Sequence, residues 1–289
     1  MKIPFWKMHG AGNDFILVDD RALTFPASDH SWLAAIGARR TGVGCEGIIL
    51  IQPSDQAHFT MRFFNPDGSE VDMCGNGARC IARLAHELGV APDHMKFETG
   101  AGMIEARMID ERVQLAMTTP REWRLDHVLD LNGVRRSYGF VNSGVPHVVM
   151  PVEDLDAEDV ATNGAAVRYH KDFAPKGTNA NFIKVTGPAA LRIRTYERGV
   201  EAETLACGTG STAAAIITAV SQRWPETYTA GREPVLVEVR GEETLRIWFT
   251  VKPDGTMTDV CLETRARAIY TGILRLELVH ELRCRLPAP

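Results

Sequence analysis

Two cysteines carry the first chemical signal: Cys74 and Cys207 each open a Cys-Gly-x-Gly string, Cys74-Gly-Asn-Gly77 and Cys207-Gly-Thr-Gly210. Helical spacing follows each string. In Ala78 to Leu88 the residues Ile81, Leu84, Ala85 and Leu88 share one face and Gly89 supplies a stop, while Thr209 to Ser221 is apolar almost throughout. A helix N-terminus exposes unsatisfied N–H groups and about half a positive charge, so it favours an anion placed beside it. A thiol there ionises more easily, from about 8.5 down to roughly 3.5–7.5. The glycines let backbone come close to a ligand, and the same N–H groups can hold a carboxylate. Two such sites suit one chemistry. One thiolate removes an α-proton from one face of an amino acid and the opposite thiol delivers a proton to the other, inverting the centre. The helix N-termini would stabilise the developing carbanion through its carboxylate, so no electron-sink cofactor and no metal is expected.

The elements that position the cysteines come in two matching series. Met61-Arg-Phe-Phe-Asn65 leads to Cys74-Gly-Asn-Gly77, a helix and a hairpin beginning Phe97-Glu-Thr-Gly100. Ile193-Arg-Thr-Tyr-Glu197 leads to Cys207-Gly-Thr-Gly210, a helix and a hairpin beginning Val237-Glu-Val-Arg-Gly241. Upstream, Gly12 to Val18 lies opposite Gly144 to Met150, and Gly44 to Leu50 opposite Gly177 to Ile183. Alternating runs predict strands at Ile48–Gln52, His58–Phe64, Met103–Met108, Val113–Met117, Leu191–Tyr196, Val235–Val239, Leu245–Val251 and Met257–Leu262, mostly as antiparallel hairpins. The expected fold is α+β, with two pseudo-symmetric domains that each wrap a mostly antiparallel or mixed sheet around a central helix. The first would comprise residues 1–119 and 266–289, including a last strand over Ala268 to Leu278, and the second residues 120–265.

A chain of 289 residues with 45% hydrophobic content can bury one large or two ordinary cores. The net charge of −5, with Lys and Arg scattered, argues against nucleic acid or an anionic membrane as partner. No uncharged run approaches the roughly 20 residues of a membrane span, which suggests a cytoplasmic protein. Six cysteines without a Cys-x-x-Cys pair suit neither a disulfide scaffold nor a zinc site, so Cys45, Cys80, Cys261 and Cys284 are expected to be packing residues. Trp32 and Ile36 are expected in the core on a short helix capped by Ser31. The acidic stretch Glu153 to Asp159 reads as a solvated loop and helix start, since its spacing does not match a calcium loop.

The strings His9-Gly-Ala-Gly-Asn-Asp-Phe-Ile16, Asn65-Pro-Asp-Gly-Ser-Glu70, Met73-Cys-Gly-Asn-Gly-Ala-Arg-Cys80, Tyr196-Glu-Arg-Gly199 and Ala206-Cys-Gly-Thr-Gly210 resemble those of the diaminopimelate epimerases, over nearly the whole chain. The resemblance implies a homodimer that works without pyridoxal phosphate and interconverts LL- and meso-2,6-diaminoheptanedioate for lysine and peptidoglycan synthesis. It implies that Cys74 and Cys207 are the catalytic pair, supported by His147 and Glu197. By the same resemblance Gly75, Asn76, Gly208 and Thr209 hold the reacting carboxylate, and Asn13, Asn65, Asn179, Glu197 and Arg198 bind the rest of the substrate. A guanidinium can fork a carboxylate, and a carboxylate can accept from an ammonium.

Some members carry Asn where this chain has Val145 and Gln where it has Gly47, and the loop after Glu197-Arg198 is one residue longer than in some. Three alternatives stay open. Racemases of proline, hydroxyproline or histidine use the same pair of thiols but bind one amino-acid end. A thiol hydrolase would use one cysteine with His147 as base. A nucleotide-binding module would explain Gly208-Thr-Gly-Ser-Thr-Ala213, although no clear parallel strand–helix–strand unit is expected there.

Overall fold

The computed structural model describes residues 2–131 and 133–275. It is a strand-rich mixed α+β protein with few helices, and its contacts divide it into two compact units. One comprises the chain up to Leu115 together with the residues from Arg265 on; the other runs from Ala116 to Thr264.

The first unit contains β1 (Lys2–Gly10), β2 (Asn13–Asp19), α1 (His30–Gly37), β3 (Gly47–Gln52), β4 (Phe59–Phe64), β5 (Glu70–Val71), α2 (Gly75–Glu87), β6 (His94–Thr99), β7 (Gly102–Ile109) and β8 (Arg112–Ala116). β1 and β2 are antiparallel, β2 and β3 parallel, and β3 and β4 antiparallel. β4 then pairs antiparallel with β5 and parallel with β6, and β6, β7 and β8 form a meander.

The second unit contains β9 (Arg121–Leu131), β10 (Val134–Asn142), β11 (Pro146–Pro151), α3 (Val160–Arg168), β12 (Asn179–Gly187), β13 (Ala190–Glu197), β14 (Ala202–Thr204), α4 (Gly208–Ser221), α5 (Glu226–Thr229), β15 (Val235–Glu238), β16 (Thr244–Val251) and the first part of β17 (Met257–Arg275). The pairing order repeats that of the first unit. β10 and β11 are antiparallel, β11 and β12 parallel, and β12 and β13 antiparallel. β13 then pairs antiparallel with β14 and parallel with β15, and β15, β16 and β17 form a meander. β9 flanks β10 as the last part of β17 flanks β1.

Several expectations shift in detail. Met257–Leu262 and the last strand from Ala268 are one continuous strand, because no turn residue interrupts 263–267; Leu278 and Cys284 lie outside the described residues. Both cysteine-led helices begin earlier than predicted. Gly75–Asn76–Gly77 and Gly208–Thr209–Gly210 are their first turns, and Cys74 and Cys207 are the N-caps, with φ of −137° and −125°. Glycine penalises a helix interior, but a first turn lacks intrahelical N–H partners in any case. Gly89, at φ +66°, follows the C-terminus of α2 as the expected stop. The cap of α1 is Asp29, whose carboxylate accepts the Trp32 amide, not Ser31. β13 runs parallel to β15 across α4, so a parallel crossover is present where none was expected, but the Gly-rich turn follows the short antiparallel β14 and not a parallel strand.

The strand registers also move one of the internal matches by a residue. Phe15 pairs with Gly47 as His147 pairs with Asn179, and Ile49 pairs with Phe63 as Asn181 pairs with Thr195. Gly47 therefore corresponds to Asn179, and not to Ala180 as the glycines at 44 and 177 suggest.

The helices supply the cores. α4 is buried from Gly210 to Ala219 and packs on β9 to β13, β15 and β16; α2 buries Asn76 to Ala82, Leu84 and Ala85 and packs on β1, β2, β3 and β7. Burying Ile81, Leu84, Ile216 and Ile217 is worth roughly 1.5–3 kcal/mol each. Trp32 and Ile36 are core residues beside Phe25. Across Glu153 to Asp159, Asp159 caps α3, Asp156 pairs with Arg192 and Glu158 with Arg136. Among the described residues no helix is long and apolar enough to cross a membrane, and no cluster of His, Cys, Asp and Glu could hold a metal ion.

Candidate active site

In the second unit the end of β13 and the start of α4 bring Glu197 to Cys207. Burial pushes the Glu197 carboxyl above the ordinary range, while the Thr204 hydroxyl, donating at 3.0 Å, and a hydrogen bond with the Cys207 thiol favour its charged form. A carboxyl tuned upward next to a thiol can take the thiol's proton and return it, which is what an acid–base residue must do near neutral pH. On its other side the Cys207 sulfur lies 3.5 Å from the Thr209 hydroxyl.

Thr209 is in turn bonded to His147, 2.9 Å from Nε2. His147 comes from β11 and is fully buried; its Nδ1 faces the Asn181 amide nitrogen at 3.1 Å. Burial, with the nearby positive charge of Arg198, pushes the imidazole down to about 3, so it stays neutral across the working range. Neither ring nitrogen bonds a sulfur. A thiol hydrolase needs an imidazole on its nucleophile, so the geometry speaks against that alternative.

Asn179, on β12, is buried with its Oδ1 accepting the Arg198 backbone N–H at 2.7 Å and its Nδ2 donating to the Pro146 carbonyl at 3.0 Å. It fixes the backbone that presents Arg198, leaving one amide hydrogen for a ligand. Gly208 and Thr209 occupy the first turn of α4, where N–H groups point out of the helix. Val145 is half-buried in the turn before β11, where the Ser143 amide donates to its carbonyl.

In the first unit Cys74 is half-buried and Gly75 and Asn76 form the corresponding first turn. Asn76 is buried, with its Oδ1 accepting from Arg79. Gly10 lies so close to α2 that a Cβ there would meet the Asn76 carbonyl at 3.0 Å, and Gly10 pairs with Asn13, so the β1–β2 turn brings Asn13 toward the start of α2. Asn65 directly follows β4, at the position that corresponds to Glu197, with its Nδ2 donating to Ser69 at 3.1 Å. A Cβ on Gly47 would lie 2.2 Å from the Phe63 ring, so the Gln of some relatives has no room beside this Phe63.

Sequence reasoning missed Asn181, Thr195 and Thr204. Asn181 was legible in part: two asparagines, two residues apart, stand in a strand whose first five residues are all buried. Polar residues on an inward face need partners. Of the cysteines expected to pack, Cys45 and Cys80 are buried and Cys261 is half-buried; burial pushes the Cys45 thiol up to about 11.

The fold places the chain in a class of solved structures. It matches a PhzF-family phenazine biosynthesis protein from Bacillus anthracis with a TM-score of 0.72 at 17% identity, over 95% of this chain and 99% of that one. It also matches a probable proline racemase from Agrobacterium radiobacter K84 with a TM-score of 0.64 at 16% identity, over 95% and 93%. At such identities the likeness is one of fold. Sequence decides the rest, and the chain belongs to the diaminopimelate epimerase family. The sequence model described as diaminopimelate epimerase matches residues 5–123 and 139–260. Diaminopimelate epimerases from Aquifex aeolicus (strain VF5) and Chlorobaculum tepidum are each 41% identical to it, over 95% and 93% of this chain and 99% and 100% of theirs.

Proposed function

We propose that the chain, an isomerase of this family, interconverts LL- and meso-2,6-diaminoheptanedioate with Cys74 and Cys207 as its two acid–base groups. One sulfur, as thiolate, takes the α-proton; the other, as thiol, gives its proton to the opposite face of the same carbon. The thiol that gained a proton and the thiolate that lost one exchange roles for the reverse reaction. N–H groups of Gly75, Asn76, Gly208 and Thr209 bind the reacting carboxylate and share the carbanion's charge, so no pyridoxal phosphate is needed. Asn13, Asn65, Asn179, Glu197 and Arg198 bind the far amino-acid end. The units are pseudo-symmetric domains, each wrapped around its cysteine-led helix, and the protein works as a cytoplasmic homodimer.

What carries this reading is the pairing of the N-capping Cys207 with a buried carboxyl whose acidity burial weakens. Family membership supports the substrate. Incubation of the purified protein with meso-diaminopimelate in D2O, without added cofactor, should give LL-isomer with deuterium at the inverted centre. Turnover of proline or histidine with none of diaminopimelate would overturn the assignment. A sedimentation mass of one chain at micromolar concentration would overturn the dimer.

A further inference from the structure

Asn181 donates through Nδ2 to the Val148 carbonyl at 2.8 Å, and a carbonyl can only accept, so the orientation of this buried amide is fixed. Its Oδ1 accepts from the Thr195 hydroxyl at 3.0 Å. The second Nδ2 hydrogen then faces His147 Nδ1, which must be the acceptor. The ring proton of the neutral imidazole therefore sits on Nε2 and is donated to Thr209 Oγ1. That leaves the Thr209 hydroxyl hydrogen to be directed at Cys207 Sγ.

We propose that Thr195, Asn181, His147 and Thr209 form a one-directional chain of hydrogen-bond donors ending on the Cys207 sulfur. In it Asn181 and Thr195 are positioning residues that favour the thiolate form of this cysteine alone. The internal repeat supplies the contrast. The registers that place His147, Asn181 and Thr195 under α4 place Phe15, Ile49 and Phe63 under α2. All three are buried, and Phe15 and Phe63 meet edge to face. The seat is equivalent in each unit. A Cβ on Gly77 would meet Ile49 Cδ1 at 2.7 Å, and one on Gly210 would meet Asn181 Oδ1 at 2.5 Å. So the same two glycines let a helix start press on an apolar trio in one unit and on a polar chain in the other. Asn76, in the place of Thr209, turns its side-chain oxygen to Arg79 instead.

A donor chain lowers the free energy of an anion at its end, because each bond aligns the next and none needs to reorganise when the thiol ionises. Glu197 has the complementary duty: it accepts the thiol proton, and Thr209 then donates to the thiolate left behind. Of the charged groups near this relay, Glu197 bonds the thiol itself and Arg198 helps keep His147 neutral. The inference rests on Cys207 being an acid–base residue, but its test does not need turnover.

In a Cys74→Ala background, the rate of Cys207 alkylation by iodoacetamide is followed against pH and read by peptide mass mapping. Asn181→Leu is expected to slow it roughly tenfold at neutral pH and move the midpoint upward, since charge-assisted bonds are the strong ones. Thr195→Val should give a smaller shift in the same direction, roughly threefold, and Thr195→Ser should restore the parent profile. In a Cys207→Ala background the same changes should leave Cys74 unmoved. An unchanged Cys207 profile, or equal displacement of both cysteines, overturns the inference. Should Asn181→Leu fail to fold, the Thr195 pair and the ¹⁵N spectrum of the unaltered protein still decide, with protonation of His147 at Nδ1 in place of Nε2 counting against it. A protein inert toward diaminopimelate with these thiol profiles intact would sink the functional proposal alone.

Discussion

Under the start of α4 lie a histidine, an asparagine and a threonine; under the start of α2, at the same strand registers, lie two phenylalanines and an isoleucine. At the neighbouring register the ionisable Glu197 answers the neutral Asn65. A duplicated plan thus gives two thiols the same helix N-terminus and different company. Cys74 is half-buried at the start of a helix seated on an apolar trio, whereas Cys207 is buried and hydrogen-bonded to Glu197. In the two-thiol mechanism proposed above one thiol is charged and the other neutral at any moment, and unlike surroundings would let the chain prefer one such state.

The largest effect should come from the cysteines, and it should be the same for both. Alanine at 74 or at 207 is expected to lower the epimerisation rate by roughly 10³-fold or more, within the range of lost acid–base catalysis. Tolerance of either loss would end the two-thiol mechanism. The next effect should belong to one unit only. His147 is held near 3 in the fold against 6.5 when exposed, so between those values the unfolded chain binds a proton that the native protein refuses. Its stability is complete above pH 6.5 and falls as pH drops toward 3, by about 3 to 5 kcal/mol in all. Urea titrations of the parent and of His147→Gln should diverge across that window; parallel curves would show the imidazole to be solvated.

Transplanting the polar residue sharpens the contrast. Phe15→His would bury an imidazole among Phe63, Ile49 and other apolar groups with no partner, destabilising the protein by about 2–4 kcal/mol in urea unfolding. A smaller loss would mean that the first unit can house a polar chain after all. The smallest effect tests packing at one register. Gly47→Ala should cost about 1–3 kcal/mol because its Cβ would strike Phe63, and a second change, Phe63→Val, should recover part of it. Asn179→Gly at the equivalent position meets no such clash, and is expected to weaken substrate binding by loosening Arg198.

Much of this was legible in the chain. The Cys-Gly-x-Gly strings, the helices after them and the order of strands follow from local chemistry and periodicity, which neighbouring residues carry by themselves. Gly47 could be marked as a departure from relatives, yet its reason, the ring of Phe63, lies across a strand pair. Asn181 looked like one more residue of a repeat, and the match between Gly44 and Gly177 misaligned it by one. A slip of one residue turns every side chain of a strand to the other face, so only the hydrogen-bonded register could show that Asn181 answers Ile49.

The sequence by itself determined that there are two cysteines, that each begins a helix, and that the residues around them suit inversion of an amino-acid centre, because capping and backbone charge at a helix start depend on adjacent residues. Only the tertiary structure decided what Cys207 touches and what lies under each helix start. The side chains that bond Cys207 or lead to it through Thr209, namely Glu197, His147, Asn181 and Thr195, come from three different strands, and such a hydrogen bond exists only where atoms from distant parts of the chain come within about 3 Å at the right angle.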